Sequence, residues 1–281
     1  MLDADHKGEK VDNPNRPVTS REYKVMLNVD RFRHRGQAAQ EFFGLLGFLV
    51  GKEGGSVEEV QDEEETRQTS YLDTPELALH QQGFALRLRE ENDDTEEFQV
   101  NLKYRDPDRY VSAAHDLSSP RVDKTKFEED ILPPFASRFS HSTSIVSDTL
   151  PDLDSMEKVI DIFPGLRDLD IDGDTTVKTV NDFEALEVVR KLCKFEFGGL
   201  PTIKASLSFW YLPEGTNGWP LVGEFSFDYD ALDDGANDET LESYPSEVAS
   251  GAARLFNALQ RQEGWFDLDG TTKTAFVLET L

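Results

Sequence analysis

The stretch FALRLR at residues 84–89 decides the fold, together with FQVNLKYR at residues 98–105. In both stretches apolar side chains alternate with polar ones, which is the period of a β-strand with one apolar face. The polar face carries bases: Arg87 and Arg89 in the first stretch, Lys103 and Arg105 in the second. Strand faces that carry several bases and no acid are unusual, because a solvated face normally mixes both signs of charge with Thr and Ser.

Other strands predicted by the same alternation divide into basic and acidic kinds. Residues 203–211 present Lys204, whereas residues 126–130 and 224–230 present carboxylates, among them Glu128, Asp130, Glu224 and Asp228. If these strands closed into a barrel with both kinds facing inward, the lumen would suit a polyanion together with a divalent metal. A solvated face with weak cross-strand ion pairs is the alternative, and the periodicity alone does not choose between them.

Short strands separated by turn residues predict an α+β fold with a mainly antiparallel sheet. Helical spacing is found at residues 36–50, 155–163 and 246–262, and the Ser- and Asp-rich stretch 136–154 is predicted to be a loop. Residues 1–18 are polar and aperiodic, so we expect a disordered tail at 1–18 followed by a single domain at 19–281.

The overall charge restricts the partners. The 281 residues include 29 Lys+Arg and 56 Asp+Glu, a formal net charge of −27, which argues against binding nucleic acid or an anionic membrane surface. An anionic ligand would need a local concentration of positive charge. Cys193 is the only cysteine, and neither a membrane-spanning run nor a secretory leader is evident, so we expect a cytoplasmic protein without disulfides.

The series YLDTPELAL at 71–79, Gly83, LRLR at 86–89 and Lys103 resembles the CYTH superfamily, the triphosphate tunnel metalloenzymes. That family includes inorganic triphosphatases, thiamine triphosphatases and class IV adenylyl cyclases. The resemblance implies a closed eight-stranded antiparallel β tunnel with flanking helices. It also implies a triphosphate along the tunnel axis, held by lysines and arginines, and Mg²⁺ or Mn²⁺ held by carboxylates.

Carried onto this sequence, the resemblance assigns most of the site. The substrate-binding positions are Lys24, Arg87, Arg89, Lys103, Arg105, Lys126 and Lys204, of which Lys24, Arg87 and Arg89 are the catalytic set. The metal positions are Glu22, Glu128, Asp130, Glu224 and Asp228. Ser20 and Ser226 stand where the family has glutamates, and Lys204 is the one base in a strand that usually has several arginines. The weaker motif Thr272-Lys273-Thr274 resembles the closing segment.

We therefore expect metal-dependent hydrolysis of an inorganic or organic triphosphate. The alternatives are a class IV-type adenylyl cyclase, in which the ATP 3′-hydroxyl replaces water, and a non-catalytic module that binds polyphosphate or a nucleotide. The expected partner is a small molecule that contains a triphosphate. The pair Trp265-Phe266 is interpreted either as a cap on the barrel or as a homodimer contact, and the sequence does not choose.

Overall fold

The computed structural model describes residues 16–91, 97–199, 201–231 and 245–280. Its strands are β1 Ser20–Met26, β2 Ser56–Asp73, β3 Phe84–Glu91, β4 Phe98–Asp106, β5 Lys124–Leu132, β6 Ala136–Ser147, β7 Lys178–Glu196, β8 Ile203–Tyr211 and β9 Val222–Asp230. Its helices are α1 Arg35–Lys52, α2 Ala78–Gln81, α3 Arg109–Ala114, α4 Met156–Ile162, α5 Ser246–Leu259 and α6 Lys273–Ala275. Short 3₁₀ segments lie at Val29–Phe32 and Pro164–Leu169, and a π-helical turn at Phe276–Thr280 follows α6.

The strands of the described residues form one closed barrel in the order β1-β5-β6-β4-β3-β2-β7-β8-β9, with β9 returning to β1. The α+β class and the closed barrel with flanking helices are confirmed. The predicted eight antiparallel strands are wrong, because the ring has nine strands and β1 pairs with β5 in parallel. An odd number of strands cannot alternate in direction around a closed ring, so a nine-stranded barrel requires at least one parallel pair.

The strand β6 replaces the first part of the loop predicted at 136–154. It pairs with β5 on one side and with β4 on the other, and Ser142 and Ser144 face the barrel interior. The Ser-rich sequence of β6 resembles a loop because serines occupy its positions that face the polar interior of the barrel. The predicted helices at 36–50, 155–163 and 246–262 are confirmed as α1, α4 and α5.

The largest apolar core lies outside the barrel wall, between β1, β8 and β9 and the helices α1 and α5. The rings of Phe42 and Phe225 meet at 4.8 Å, and Tyr23 stacks on Phe227 at 4.7 Å. Phe225 and Phe227 of β9 point outward into this core. Trp265 packs 5.3 Å from Phe42 in the same core, and both interpretations of the Trp265-Phe266 pair stay predictions.

A second core covers the opposite wall, where Leu86 and Leu102 of β3 and β4 pack with Met156 and Val159 of α4. Because the apolar faces of these strands are buried under a helix, the alternate polar residues must point into the barrel. The core therefore determines the direction in which the charged faces point.

The predicted tail lies mostly outside the described residues, since residues 1–15 are not described. Its last residue, Val18, is buried, and Thr19 donates through both its backbone and its hydroxyl group to the carbonyl of Phe127. In the part of the chain that the structure describes, no helix has both the length and the apolar character to cross a membrane.

Candidate functional site

The interior of the barrel is a tunnel of about 730 Å³, lined by side chains from all nine strands and by the segment 272–279. The basic stretches of β3 and β4 and the acidic stretches of β5 and β9 all contribute to this lining. The solvated-face alternative is therefore wrong for these strands. The tunnel brings cations and carboxylates from distant parts of the sequence into one enclosed space.

Ten of the twelve residues that the sequence predicts for the site line this tunnel. They are Glu22, Lys24, Arg87, Arg89, Lys103, Arg105, Lys126, Glu128, Asp130 and Glu224. Lys204 does not: its side chain is 61% exposed at the end of the barrel and contacts Asp230 at 3.6 Å. Asp228 is not part of the lining either, although it lies on the lumen face of β9, directly opposite Glu22 of β1.

The tunnel also contains charged residues that the sequence analysis did not assign. These are Arg67, Lys124, Arg138, Glu187, Lys273 and Glu279. Glu187 had a detectable signal, because it is the single charged residue in the otherwise apolar run at 185–189. Lys273 lies in the short motif that resembles the family's closing segment, and the structure places it inside the tunnel.

Glu187 is completely buried and organises one part of the tunnel. Its Oε2 accepts from Arg67 Nε at 2.8 Å and Arg89 Nη2 at 3.0 Å, and its Oε1 accepts from Ser208 Oγ at 2.9 Å and Lys273 Nζ at 3.1 Å. Burial alone would raise the pKa of Glu187, but the three cations hold that pKa well below its usual range. Glu187 therefore positions cations from β2, β3 and the C-terminal segment.

Asp130 has the same function in another part of the tunnel. It accepts from Lys24 Nζ at 2.9 Å and Ser140 Oγ at 2.7 Å, and Arg105 Nε lies 3.4 Å from its Oδ2. Burial opposes ionisation of Asp130, but Lys24 and the neighbouring cations lower its pKa. The carboxylate is charged and its two oxygens are already in use.

Glu128 is also engaged, by Lys126 at 2.7 Å and Lys103 at 3.4 Å. Ser20 donates its hydroxyl hydrogen to Glu128 Oε1 at 3.1 Å and so orients this carboxylate. Burial would raise the pKa of Glu128, but Lys103 and Lys126 lower it to about 2. Glu128 thus holds two lysines toward the lumen.

The lining as a whole has an excess of positive charge. Its bases are Lys24, Arg67, Arg87, Arg89, Lys103, Arg105, Lys124, Lys126, Arg138 and Lys273. Its acids are Glu22, Glu128, Asp130, Glu187, Glu224 and Glu279. Ten bases against six acids leave 10 − 6 = +4 in a chain whose net charge is −27. The tunnel is therefore a local site of positive potential.

Arg87 is the least compensated of these bases. Among the described residues its side chain makes no hydrogen bond or ion pair, and its Nε is buried without a partner. Burial, together with the cations nearby, lowers the pKa of Arg87. Burial and the charge of Arg87 lower the pKa of Arg89 to about 9, and burial and Arg105 lower that of Lys103 to about 8. An anion in the tunnel would supply the missing countercharge.

An acidic pair lies on β1 and β9, where Lys24 contacts Glu22 at 2.8 Å. Glu22 and Asp228 are cross-strand partners, and burial followed by the charge of Glu22 raises the pKa of Asp228 to about 6. No three His, Cys, Asp or Glu side chains of the described ranges converge closely enough to hold a metal alone. Mg²⁺ commonly takes one or two carboxylates and completes its shell with water and phosphate oxygens. The pair therefore fits a divalent cation whose other ligands are phosphate oxygens and water.

Comparisons with known proteins give similarity at low identity. No family model and no curated protein matches the chain. A solved structure from Hippeastrum, described as an adenylyl cyclase with a dominant triphosphatase activity, is 11% identical with a TM-score of 0.49, over 92% of this chain and 95% of that chain. A structure from Vibrio parahaemolyticus, described as an adenylate cyclase, is 14% identical with a TM-score of 0.36, and the match covers 92% of this chain and 97% of that chain. A structure from Bacillus halodurans with the same description is 15% identical with a TM-score of 0.38, and the match covers 85% of this chain and 90% of that chain. Function is inferred below from the residues of the tunnel itself.

The acidic pair predicts how stability depends on pH. The pKa of Asp228 is about 6 in the folded chain and about 3.9 in an unfolded one, so the folded state binds more protons between these values and its stability falls as pH rises. Asp228→Asn removes this cost. We expect the variant to be more stable than the unmodified chain by about 1–2 kcal/mol at pH 7.5, with a smaller gain at pH 5, in urea denaturation.

Asp230→Asn, which changes an exposed carboxylate on the same face of β9, is the matched control and should have little effect at either pH. An equal effect of Asp228→Asn at both pH values would contradict the raised pKa.

Proposed function

We propose that this protein binds a triphosphate inside the tunnel and hydrolyses it with the help of Mg²⁺ or Mn²⁺. The observation that carries the proposal is the surplus of lysines and arginines in an enclosed lumen, with Arg87 left without a partner. A triphosphate chain places several negative charges within a few ångströms, and arginine and lysine bind phosphate oxygens through charge-assisted hydrogen bonds.

The charged residues of the tunnel have two proposed roles, to bind phosphate oxygens and to position the groups that bind them. Arg87, Arg89 and Lys103 would contact phosphate oxygens. Their pKa values are lowered although Glu187 contacts Arg89 and Glu128 contacts Lys103, so these carboxylates do not offset the burial and the neighbouring cations. Lys24 and Lys126, held by Asp130 and Glu128, would approach the chain from β1 and β5. Their fixed positions would stabilise the charge that accumulates on the departing phosphate without reorganisation at the moment of reaction.

Glu22 and Asp228 are the proposed metal ligands, with Glu22 exchanging its contact with Lys24 at 2.8 Å for the metal. A divalent cation bound there would polarise a phosphoryl group and lower the pKa of a water molecule. Glu224, Glu128 and Asp130, which the sequence also assigns to the metal, are each held by a lysine or arginine. We propose that these carboxylates join the metal site when phosphate oxygens replace them as the partners of those cations.

A binding module without catalysis is the second candidate. It is favoured by the ion pairs of four of the five predicted metal carboxylates, Glu22, Glu128, Asp130 and Glu224. In that case the tunnel would hold a polyphosphate or nucleotide and turn nothing over. The cyclase alternative requires the same tunnel and differs in the nucleophile, so only its product distinguishes it.

A product assay separates the three. The protein is incubated with tripolyphosphate, thiamine triphosphate or ATP, each with Mg²⁺ or Mn²⁺, and orthophosphate and cyclic AMP are measured. We expect orthophosphate from at least one triphosphate and none after chelation of the metal. Cyclic AMP from ATP would identify a cyclase, tight binding without product would identify the binding module, and no binding would refute the assignment.

Replacement of Arg87 tests the tunnel as the binding site. We expect Arg87→Ala to weaken tripolyphosphate binding by about 30- to 1,000-fold, because an enclosed charge-assisted contact is worth on the order of 2–4 kcal/mol. The measurement is isothermal titration without metal. Lys204→Ala is the matched control, since this exposed base at the end of the barrel should leave the affinity unchanged. Equal affinity of both variants would place the ligand elsewhere.

The lowered pKa of Lys103 predicts how affinity depends on pH. The pKa of Lys103 is about 8 in the free protein, so above pH 8 binding must return a proton to this lysine. We expect the affinity for tripolyphosphate to fall between pH 8 and 9 by up to about tenfold per pH unit relative to Lys103→Arg, whose guanidinium stays charged. Parallel pH profiles of the two proteins would mean that Lys103 does not contact the ligand.

A further inference from the structure

The helix α1 is apolar on its solvent side as well as on the side that faces the barrel. Phe42, Leu46 and Leu49 are buried against the barrel wall. Every residue between Glu41 and Lys52 is glycine, leucine, valine or phenylalanine, so the solvent side of this stretch carries no polar side chain. A surface helix normally has polar residues opposite its buried face, and a helix that is apolar all round is normally covered. The middle of α1 therefore has the composition of a helix that is packed on two sides.

Phe48 lies at the centre of this outer face. Its side chain is 67% exposed, the largest value among the large apolar residues that the structure describes. Together with Gly44, Gly47 and Gly51 it has the spacing i, i+3, i+4 and i+7, which places these four residues in one stripe along the helix, the outer stripe. An exposed phenylalanine in an uncharged stripe is the pattern with which one helix packs on another.

Nothing within the described chain requires the glycines of the outer stripe. Open space surrounds the position where a side chain of Gly44, Gly47 or Gly51 would begin, and none of the three has a positive φ. Glycine destabilises the interior of a helix relative to alanine, so these residues weaken α1 without a benefit inside the chain. What glycine permits is the close approach of another backbone, because the distance between two packed helices depends on the side chains at their contact.

The charges at the two ends of the outer stripe complement those of a second copy of this chain. Glu41 and Lys52 are 52 − 41 = 11 residues apart, so they lie about 16 Å apart along α1 and about 20° apart around its axis, on one flank. Two such helices packed antiparallel would place Glu41 of each copy beside Lys52 of the other, whereas a parallel pair would place equal charges together. Glu41 accepts from Gln37 at 2.9 Å and lies 3.9 Å from Arg31, but its side chain stays 50% exposed.

We propose that this protein forms an antiparallel homodimer through the outer stripe of α1, with Phe48 of each copy packed over Gly44 of the other. The interface is isologous, so both copies contribute the same residues. The proposal does not rest on triphosphate hydrolysis, because no residue of α1 lines the tunnel. It also differs from a dimer contact through Trp265 and Phe266, whose rings pack on Phe42.

Sedimentation equilibrium of the full chain tests the association. One helix from each copy is a small interface, so we expect a dissociation constant on the order of 10–100 μM and measure from about 5 to 500 μM. Phe48→Glu should abolish the dimer over this range. Leu150→Glu, the matched control at another exposed apolar side chain, should leave the dissociation constant unchanged.

A second variant separates association from folding. Gly44→Gln introduces a better helix former, so the temperature of thermal unfolding should be equal or higher. Its side chain occupies the space proposed for Phe48 of the partner, so the dimer should nevertheless be lost. Circular dichroism checks that this variant and Phe48→Glu are folded.

An exchange of charges tests the antiparallel arrangement. Glu41→Lys and Lys52→Glu should each weaken the dimer about three- to tenfold, because each places like charges together at both ends of the interface. The double variant should return to within about threefold of the unmodified protein. Within one chain the two residues are too far apart to contact each other, so this recovery reports a contact between copies.

A dimer that depends on Phe48 and recovers on the double exchange supports the proposal. The proposal is overturned if the unmodified protein stays monomeric over the whole range, if Phe48→Glu dimerises as tightly as Leu150→Glu, or if the double exchange is no tighter than the weaker single variant. A monomer that sediments with phosphatidylcholine vesicles through Phe48 would assign the stripe to a membrane surface and would also overturn it.

Discussion

The structure depends on one constraint: a closed barrel whose outer wall is covered by helices has to place every second side chain in the lumen. The apolar faces of β3 and β4 are buried under α4, and those of β1, β8 and β9 under α1 and α5. Their alternate residues are charged and have no solvent face to occupy. Burying an unpaired charge costs several kcal/mol, so the lumen must be internally compensated.

Three carboxylates provide most of that compensation. Glu187, Asp130 and Glu128 are buried, and between them they contact Arg67, Arg89, Lys273, Lys24, Arg105, Lys126 and Lys103. The compensation is incomplete in two places, at Arg87 on β3 and at Asp228 on β9, whose neighbour Glu22 is paired with Lys24. Arg87 would gain from an anion and Asp228 from a cation. A phosphate chain that arrives with a divalent metal would correct both, which is why the same tunnel suits both components.

The sequence predicts the parts of this arrangement that depend on local period. Alternation identified β3, β4, β5 and β9 and the face that carries their charges. Together with Glu22 and Lys24 of β1, which the resemblance supplied, ten of the twelve predicted site residues lie in the tunnel. Alternation does not show how deep in the barrel a residue lies along its strand. Lys204 is on the face that points into the lumen but lies at the exposed end of β8. Nor did alternation identify β6, whose small polar lumen face resembles a loop. Glu187 was missed because its one signal, a single charge in an apolar run, does not show which residues surround it; only the three-dimensional fold places Arg67, Arg89 and Lys273 there.

The net charge of −27 would affect the approach of an anion, whereas the charge of the lumen would affect how tightly the anion is held. At physiological ionic strength the potential of exposed carboxylates decays over about 8 Å, so those on the outer surface interact only weakly with a ligand inside the barrel. The cations of the lining would contact a bound anion directly, where the local dielectric is lower and the attraction stronger. The acidic exterior would therefore slow the approach of an anion, and the lumen would determine how tightly that anion is held. An acidic chain can thus bind a polyanion if its basic side chains are enclosed and its acidic ones, apart from those that position the bases, lie outside.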